Sequence, residues 1–161
     1  ANVIASVLAE RLSGSYKMLH LPDGLSQDSL HMLMTCEPQI KEIGDLISRT
    51  DVLLFGIGTA MRMADQRHIA DDVRKQLVDN HAVGEALGQY CDIEGKLIYS
   101  TNNIGLSLPD VVKVPNVIAV AGGQEKASAI IGVMRACQKG ILIIDEQAAE
   151  GMRQLLQISA L

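Results

Sequence analysis

The segment VIAVAGGQEKASAIIGVM, residues Val117–Met134, decides the fold prediction because it joins a strand-like run to a helix-like run through two glycines. Its first five residues are of the buried-strand type, and apolar residues recur at helical spacing after Lys126. Glycine allows the close approach of a backbone, and a helix start beside a cation suits a phosphate or a carboxylate. Gly122, Gly123 and Lys126 are therefore candidate anion-binding residues, and the alternative is a plain strand-to-helix turn with a solvated lysine.

Two further apolar runs resemble this strand, DVLLFGIG at residues 51–58 and GILIIDE at residues 140–146, and a helical segment follows each. Runs that are apolar on successive residues are typical of strands buried on both faces. Alternation of strands and helices predicts a parallel sheet with right-handed crossovers. We predict an α/β fold, a Rossmann-like parallel sheet with flanking helices. The runs at 52–55, 117–121 and 141–144 should be neighbouring parallel strands with Gly56, Gly122 and Asp145 at one rim.

The remaining elements are predicted from helical spacing and turn residues. Helices are expected over residues 1–12, from Ser26 as N-cap to about residue 35, from Pro38 onward, up to about residue 66, and over 71–78. YKMLHLP at residues 16–22 is predicted to be a short strand, followed by a turn at Asp23-Gly24. GQYCDIEGKLIYS at residues 88–100 predicts an added β-hairpin on the side of the sheet.

Composition excludes several classes of protein. The chain has 161 residues, which suits one domain, and a net charge of −5 without a basic block, which argues against nucleic-acid binding by this chain alone. Its three cysteines are scattered, so neither a disulfide framework nor a metal site is expected, and no cofactor is predicted. No apolar run reaches the length of about 20 residues that a membrane span needs. We expect a cytoplasmic protein with no membrane contact.

The candidate ligand site lies where the predicted strands end, because open α/β sheets bind ligands beyond the carboxyl ends of their strands. Gly56 and Gly58 form a lone GxG, equally consistent with a tight turn and a ligand-facing loop. Met61 breaks the dinucleotide fingerprint, which disfavours a nicotinamide-cofactor domain. Arg67 follows this strand, and Glu85 lies in HAVGEALG between two glycines. A carboxylate among such small residues is more often paired or bound than free.

The sequence carries no motif that pairs a nucleophile with a base, so no catalytic residue is predicted. Glu85 as a base and Lys126 as an electrostatic clamp could still serve a sugar-phosphate isomerase or deaminase. Residue chemistry alone leaves enzyme and binding domain open.

Four segments together resemble the effector-binding domain of SorC-type bacterial transcriptional regulators: LLFGIGTA, NHAVGEALGQYCDIEGKLI, NIGLSLPDVVKVPNVIAVAGGQEKASAIIGVM and ILIIDEQAA. The resemblance covers nearly the whole chain, with the segments in the same order and spacing. It implies a fold like that of ribose-phosphate isomerases and CoA transferases. It also implies that a phosphorylated sugar such as fructose 1,6-bisphosphate binds as a signal rather than as a substrate, which would mean that the domain is not an enzyme. A homo-oligomer is expected for a separate reason: the hairpin near residues 87–99, a truncated sheet edge and an aliphatic surface should seek partners.

The resemblance also assigns residues. The ligand-contacting glutamate of the family falls on Glu85, and its ligand-contacting lysine falls on Lys126. An arginine of the family falls at or beside Arg67; the neighbouring position in this sequence is Gln66. Family members begin their effector domain with a strand and a Gly-Gly-Thr-Thr-like phosphate loop, and they carry a helix-turn-helix domain ahead of it. Residues 1–161 are therefore expected to be the C-terminal part of one sugar-phosphate-binding domain that reaches operator DNA only through a domain outside this chain.

Overall fold

A computed structural model describes residues 2–21 and 25–157. Its helices are α1 Asn2–Arg11, α2 Gln27–Cys36, α3 Pro38–Ser48, α4 Ala60–Gln66, α5 Asp71–Asp79, α6 Ala127–Cys137 and α7 Glu146–Leu155. Its strands are β1 Val52–Gly56, β2 Gly58–Thr59, β3 Gly84–Ala86, β4 Gln89–Cys91, β5 Leu97–Ser100, β6 Asn116–Ala121 and β7 Ile141–Ile144. Short 3₁₀ turns at Pro109–Lys113 and Gln124–Lys126 flank β6. The α/β prediction is confirmed.

The parallel sheet has the strand order β1-β6-β7. Phe55 pairs with Ala119 of β6, which pairs in turn with Leu142 of β7. Because the three strands are parallel, their carboxyl ends meet at one edge, which we call the rim. The prediction that these runs are neighbouring parallel strands is confirmed.

A second, antiparallel sheet has the order β2-β3-β4-β5 and begins immediately after β1. The predicted hairpin is present as β4 and β5, and its turn is closed by the amide of Lys96, which donates to the Asp92 side chain at 2.8 Å. It is, however, the outer half of a four-stranded sheet. The register pairs Gly58 of β2 with Glu85 of β3, which brings Glu85 to the end of the parallel sheet.

Helix α6 lies at the centre of the hydrophobic core, because it packs against residues of both sheets. It can approach the antiparallel sheet closely since glycines stand at the contacts: a Cβ at Gly84 would lie 2.8 Å from the carbonyl oxygen of Ala129 in α6. Ile130 and Val133 of α6 are fully buried with Ala119 of β6.

The other face of the parallel sheet is open. Five of its side chains are between 40% and 65% exposed, namely Val52, Leu54, Val120, Ile141 and Ile143. The prediction that these strands are buried on both faces is therefore wrong for this structure. The reason is that α6 packs against the face that carries Phe55 and Ala119, so alternate residues along each strand point away from it.

The first fifty residues follow the prediction in their helices but not in their strand. Ser26 caps α2 as predicted, accepting the amide of Ser29 at 3.1 Å, and α3 begins at Pro38. Residues 16–21 form no strand, because the structure gives their backbone no ladder partner within residues 2–21 and 25–157. Residue 22 and the predicted turn at residues 23–24 lie outside the described residues.

Candidate functional site

The rim gathers the ends of β1, β6 and β7, as predicted for Gly56, Gly122 and Asp145. Beyond β1 the chain passes through Ile57 into β2, and the 3₁₀ turn at Gln124–Lys126 lies against β2. Two groups of candidate residues therefore meet at β2. One surrounds Glu85, and the other surrounds Lys126.

Glu85 is a buried carboxylate, 3% exposed, with a fixed orientation. Its Oε1 accepts hydrogen bonds from the Arg67 Nη2, at 3.1 Å, and from the backbone N–H of Gly88, at 2.7 Å. Burial raises the pKa of Glu85 above its ordinary value, while the charge of Arg67 and the Gly88 N–H oppose that rise. The expectation that Glu85 is paired rather than free is correct, and Arg67 is its partner.

The turn after β3 holds Glu85 in place. Leu87 and Gly88 both have positive φ, at 55° and 80°, and this turn aims the Gly88 N–H back at the Glu85 carboxylate. A side chain at Gly88 is excluded, since a Cβ there would lie 2.4 Å from the Thr101 Oγ1. Thr101 donates to the Gly88 carbonyl at 3.0 Å, and Asn103 donates to that of Leu87 at 3.0 Å. Sequence reasoning missed Thr101 and Asn103 as supporting residues. The only signal for them was the second glycine of HAVGEALG, Gly88.

The two glycines after β1 differ in their surroundings. A Cβ at Gly58 would lie 2.4 Å from the Met63 Cγ and 4.0 Å from the Glu85 Oε2, so Gly58 lies directly over that carboxylate. At Gly56 the nearest atom to such a Cβ is the Val120 carbonyl oxygen at 3.9 Å, which is ordinary contact. A side chain at 58 would therefore require the Met63 side chain to move, whereas the structure gives no steric reason for glycine at 56.

The Gly122–Gly123 turn already faces an anion, and that anion is Asp145 of the same chain. The N–H of Gly123 donates to both carboxylate oxygens of Asp145, at 3.1 and 2.9 Å. A Cβ at Gly122 would lie 2.7 Å from the Asp145 Oδ2, and Gly123 has φ at 97°. The prediction that this turn binds an anionic ligand stays a prediction; in the structure its Gly123 N–H is bonded to a carboxylate 22 residues away in the chain.

Asp145 is held in its charged form. Hydrogen bonds from the N–H of Ala148 and then of Gly123 keep the pKa of Asp145 below its usual value, and the charge of Lys126 adds to this effect. Lys126 is half-buried, ends the 3₁₀ turn before α6, and donates its backbone N–H to the Gly123 carbonyl at 3.1 Å. Within residues 2–21 and 25–157, Lys126 forms no ion pair within 4.0 Å.

The described part of the chain contains no group of three or more His, Cys, Asp or Glu side chains placed to hold a metal ion. In residues 2–21 and 25–157, no helix has the length and apolar character needed to cross a bilayer.

A family profile described as "Putative sugar-binding domain" matches residues 1–154. The chain belongs to this sugar-binding domain family. It is 37% identical over 150 residues to the central glycolytic genes regulator of Bacillus subtilis. The aligned region covers 93% of this chain and 44% of that protein. The regulator of the same name from Priestia megaterium is 38% identical over 150 residues, with the same coverage.

Solved structures agree with this assignment. A SorC family transcriptional regulator from Enterococcus faecalis superposes with a TM-score of 0.85 and 38% identity, covering 94% of this chain and 62% of that one. The resemblance to SorC-type regulators is confirmed, and the relatives named here are transcriptional regulators rather than enzymes, in agreement with the prediction. The chain spans less than half the length of the curated relatives it matches.

Proposed function

We propose that this sugar-binding domain is the effector sensor of a bacterial transcriptional regulator and that it binds a phosphorylated sugar, such as fructose 1,6-bisphosphate, at the rim. The relatives named as regulators of glycolytic genes support an effector from that chemistry. The observation that carries the proposal is that two elements lie against β2. One is the turn that ends at Lys126, a cation with no ion pair within residues 2–21 and 25–157, and the other is β3 with the oriented, buried carboxylate of Glu85.

The two groups would read different parts of a phosphosugar. Lys126 supplies a positive charge and up to three donors for phosphate oxygens. Glu85 keeps its Oε1 on Arg67 and Gly88, so its Oε2, on the side of Gly58, is the oxygen that would accept from a sugar hydroxyl. Gly58 has no side chain to obstruct that approach.

Two substitutions in the full-length protein test these roles by titration calorimetry with a bisphosphate and a monophosphate of the same sugar. Lys126→Ala should weaken binding by about 1–3 kcal/mol, more at low salt than at high salt, because it removes a hydrogen bond between charged groups. Glu85→Gln should keep affinity for phosphate but discriminate less among sugars, because an amide replaces the acceptor-only carboxylate.

Lys113→Ala is the matched control. Lys113 is an exposed lysine paired with Asp110 at 2.6 Å, and it precedes β6 whereas Lys126 follows it, so it lies at the opposite edge of the sheet. Its loss should leave affinity unchanged. An unchanged affinity in a folded Lys126→Ala protein would show that the Gly-Gly-Lys segment is only a turn.

Effector binding would act on a larger assembly. We expect the domain to lie in a cytoplasmic homo-oligomer whose protomer arrangement the effector biases, and so to alter how helix-turn-helix domains outside this chain sit on operator DNA. Sedimentation of the full-length protein with and without fructose 1,6-bisphosphate tests this. A monomer at high concentration under both conditions would contradict the assembly.

A further inference from the structure

Asp145 joins three parts of the rim. It follows β7 directly, it is the N-cap of α7 by accepting the N–H of Ala148 at 2.8 Å, and it accepts the N–H of Gly123 with both oxygens. A carboxylate with these donors stays ionised at neutral pH. The rim therefore contains a permanent negative charge that is bonded to the Gly123 N–H, and the carbonyl of that same Gly123 accepts the Lys126 N–H at 3.1 Å. The attraction of Lys126 also helps to keep the pKa of Asp145 low.

The surrounding packing keeps this charge in place. Gly151 of α7 lies tightly against the turn before α6: a Cβ at Gly151 would come within 2.9 Å of the Ala127 Cβ and 3.1 Å of the Gln124 carbonyl oxygen. Two contacts thus fix helix α7 against the turn that ends at Lys126. Asp145 makes the first at the N-terminus of the helix, and Gly151 makes the second further along it. Moving the carboxylate away would uncap α7 and free the Gly123 N–H.

Resting on the proposed function, we infer that Asp145 sets how tightly the rim binds phosphate. It is a resident counter-charge that weakens phosphate binding at Lys126 while it holds the Gly122–Gly123 turn in shape. Its repulsion acts on every anion in proportion to the charge of that anion. A sensor whose cation is partly neutralised in this way releases its ligand more readily than one with a bare lysine.

The test compares Asp145→Asn with the wild type in the full-length protein, using fructose 1,6-bisphosphate and inorganic phosphate as probes. Asparagine keeps an oxygen that can accept from the backbone but removes the charge. At low ionic strength we expect the variant to bind the bisphosphate about three- to tenfold tighter, and inorganic phosphate with a smaller gain. The gain should shrink in high salt, a response that a purely structural role would not produce.

Asp110→Asn is the matched control because it removes an equal charge, also from a carboxylate whose pKa is held low, at the opposite edge of the sheet. It should bind both probes as the wild type does. Should Asp145→Asn fail to fold, Asp145→Ser keeps a capping oxygen without the charge and carries the same expectation.

Each outcome of this comparison supports or overturns the inference about Asp145. Tighter, salt-sensitive binding in Asp145→Asn supports the inference. Unchanged or weaker binding in a folded variant, with the wild type binding normally, overturns the counter-charge and leaves the proposed function standing. If neither the wild type nor any variant binds either probe, the proposed function fails, and the inference fails with it.

Discussion

Arg67→Met offers the most direct test of the pair that fixes Glu85. Removing one partner of a buried ion pair costs about 3–5 kcal/mol, because the other charge stays buried without compensation. The Glu85 side chain is 4% exposed, but the Arg67 side chain is 28% exposed and already partly solvated. We therefore expect the free energy of unfolding to fall by about 2–3 kcal/mol near neutral pH, at or below the lower end of that range.

The loss should depend on pH in a fixed direction. The charge of Arg67 lowers the pKa of Glu85, so its removal lets burial raise that pKa further. A carboxyl whose pKa is raised on folding destabilises the folded state when it is ionised, and this cost disappears as the pH falls through the raised value. The difference between variant and wild type should therefore be larger at about pH 7.5 than at about pH 5. Adding Glu85→Gln to the variant should recover part of the loss at the higher pH.

Urea unfolding followed by circular dichroism at both pH values measures these differences. Arg74→Met is the control, since Arg74 pairs with Asp65 on the surface, where both side chains are more than 40% exposed. It should cost no more than about 1 kcal/mol and show no such pH dependence. Equal losses for the two variants, or a loss at Arg67 that is the same at both pH values, would refute the electrostatic account of Glu85.

Two further predictions concern the core. Gly132→Ala should lower the free energy of unfolding by about 2–3 kcal/mol in thermal or urea unfolding, because the new Cβ would lie 2.3 Å from the backbone oxygen of Asp92. Gly105→Ala is the control: the nearest atom to its Cβ is 3.8 Å away, so it should cost less than about 1 kcal/mol. Similar losses at both positions would show that α6 does not need the close approach at Gly132. In the folded protein a thiol reagent should label the exposed Cys36 rapidly, and the buried Cys91 and Cys137 only after unfolding. Burial also raises the pKa of Cys91 to about 12, which keeps its thiol protonated. A second rapidly labelled thiol in native mass spectra would contradict the burial of these two cysteines.

The parallel sheet could be predicted because its signals are local. Each of its strands is an apolar run long enough to be recognised, each is followed by a helix, and a right-handed crossover then fixes neighbouring strands in parallel. The N-cap at Ser26 and the helix start at Pro38 were equally accessible, because a cap depends on residues within one turn of the helix.

The antiparallel sheet could be predicted only in its outer half. Strand β2 has two residues and β3 has three, which is too short for an alternating pattern, and both contain glycine, which has a low strand propensity. Their pairing arises from long-range contacts with α6 and with the β4–β5 hairpin. The open face of the parallel sheet was mispredicted for a related reason: a run of apolar residues shows that a strand tolerates burial on both faces but not what covers each face.

At the rim, the sequence predicted the kind of chemistry and not its partners. Two glycines before a lysine indicate a turn that accepts an anion, and nothing local distinguishes an external phosphate from a carboxylate supplied by residue 145. The same holds for Glu85, whose small neighbours indicated a partner without identifying Arg67. In the folded chain each of these two cations has a carboxylate close by, with a direct bond at Arg67 and a longer-range attraction at Lys126. A phosphate that binds here must be attracted more strongly by Lys126 than it is repelled by Asp145. Under the proposed function, the affinity for a phosphorylated effector would therefore depend on the Asp145–Lys126 pair and not on the lysine alone.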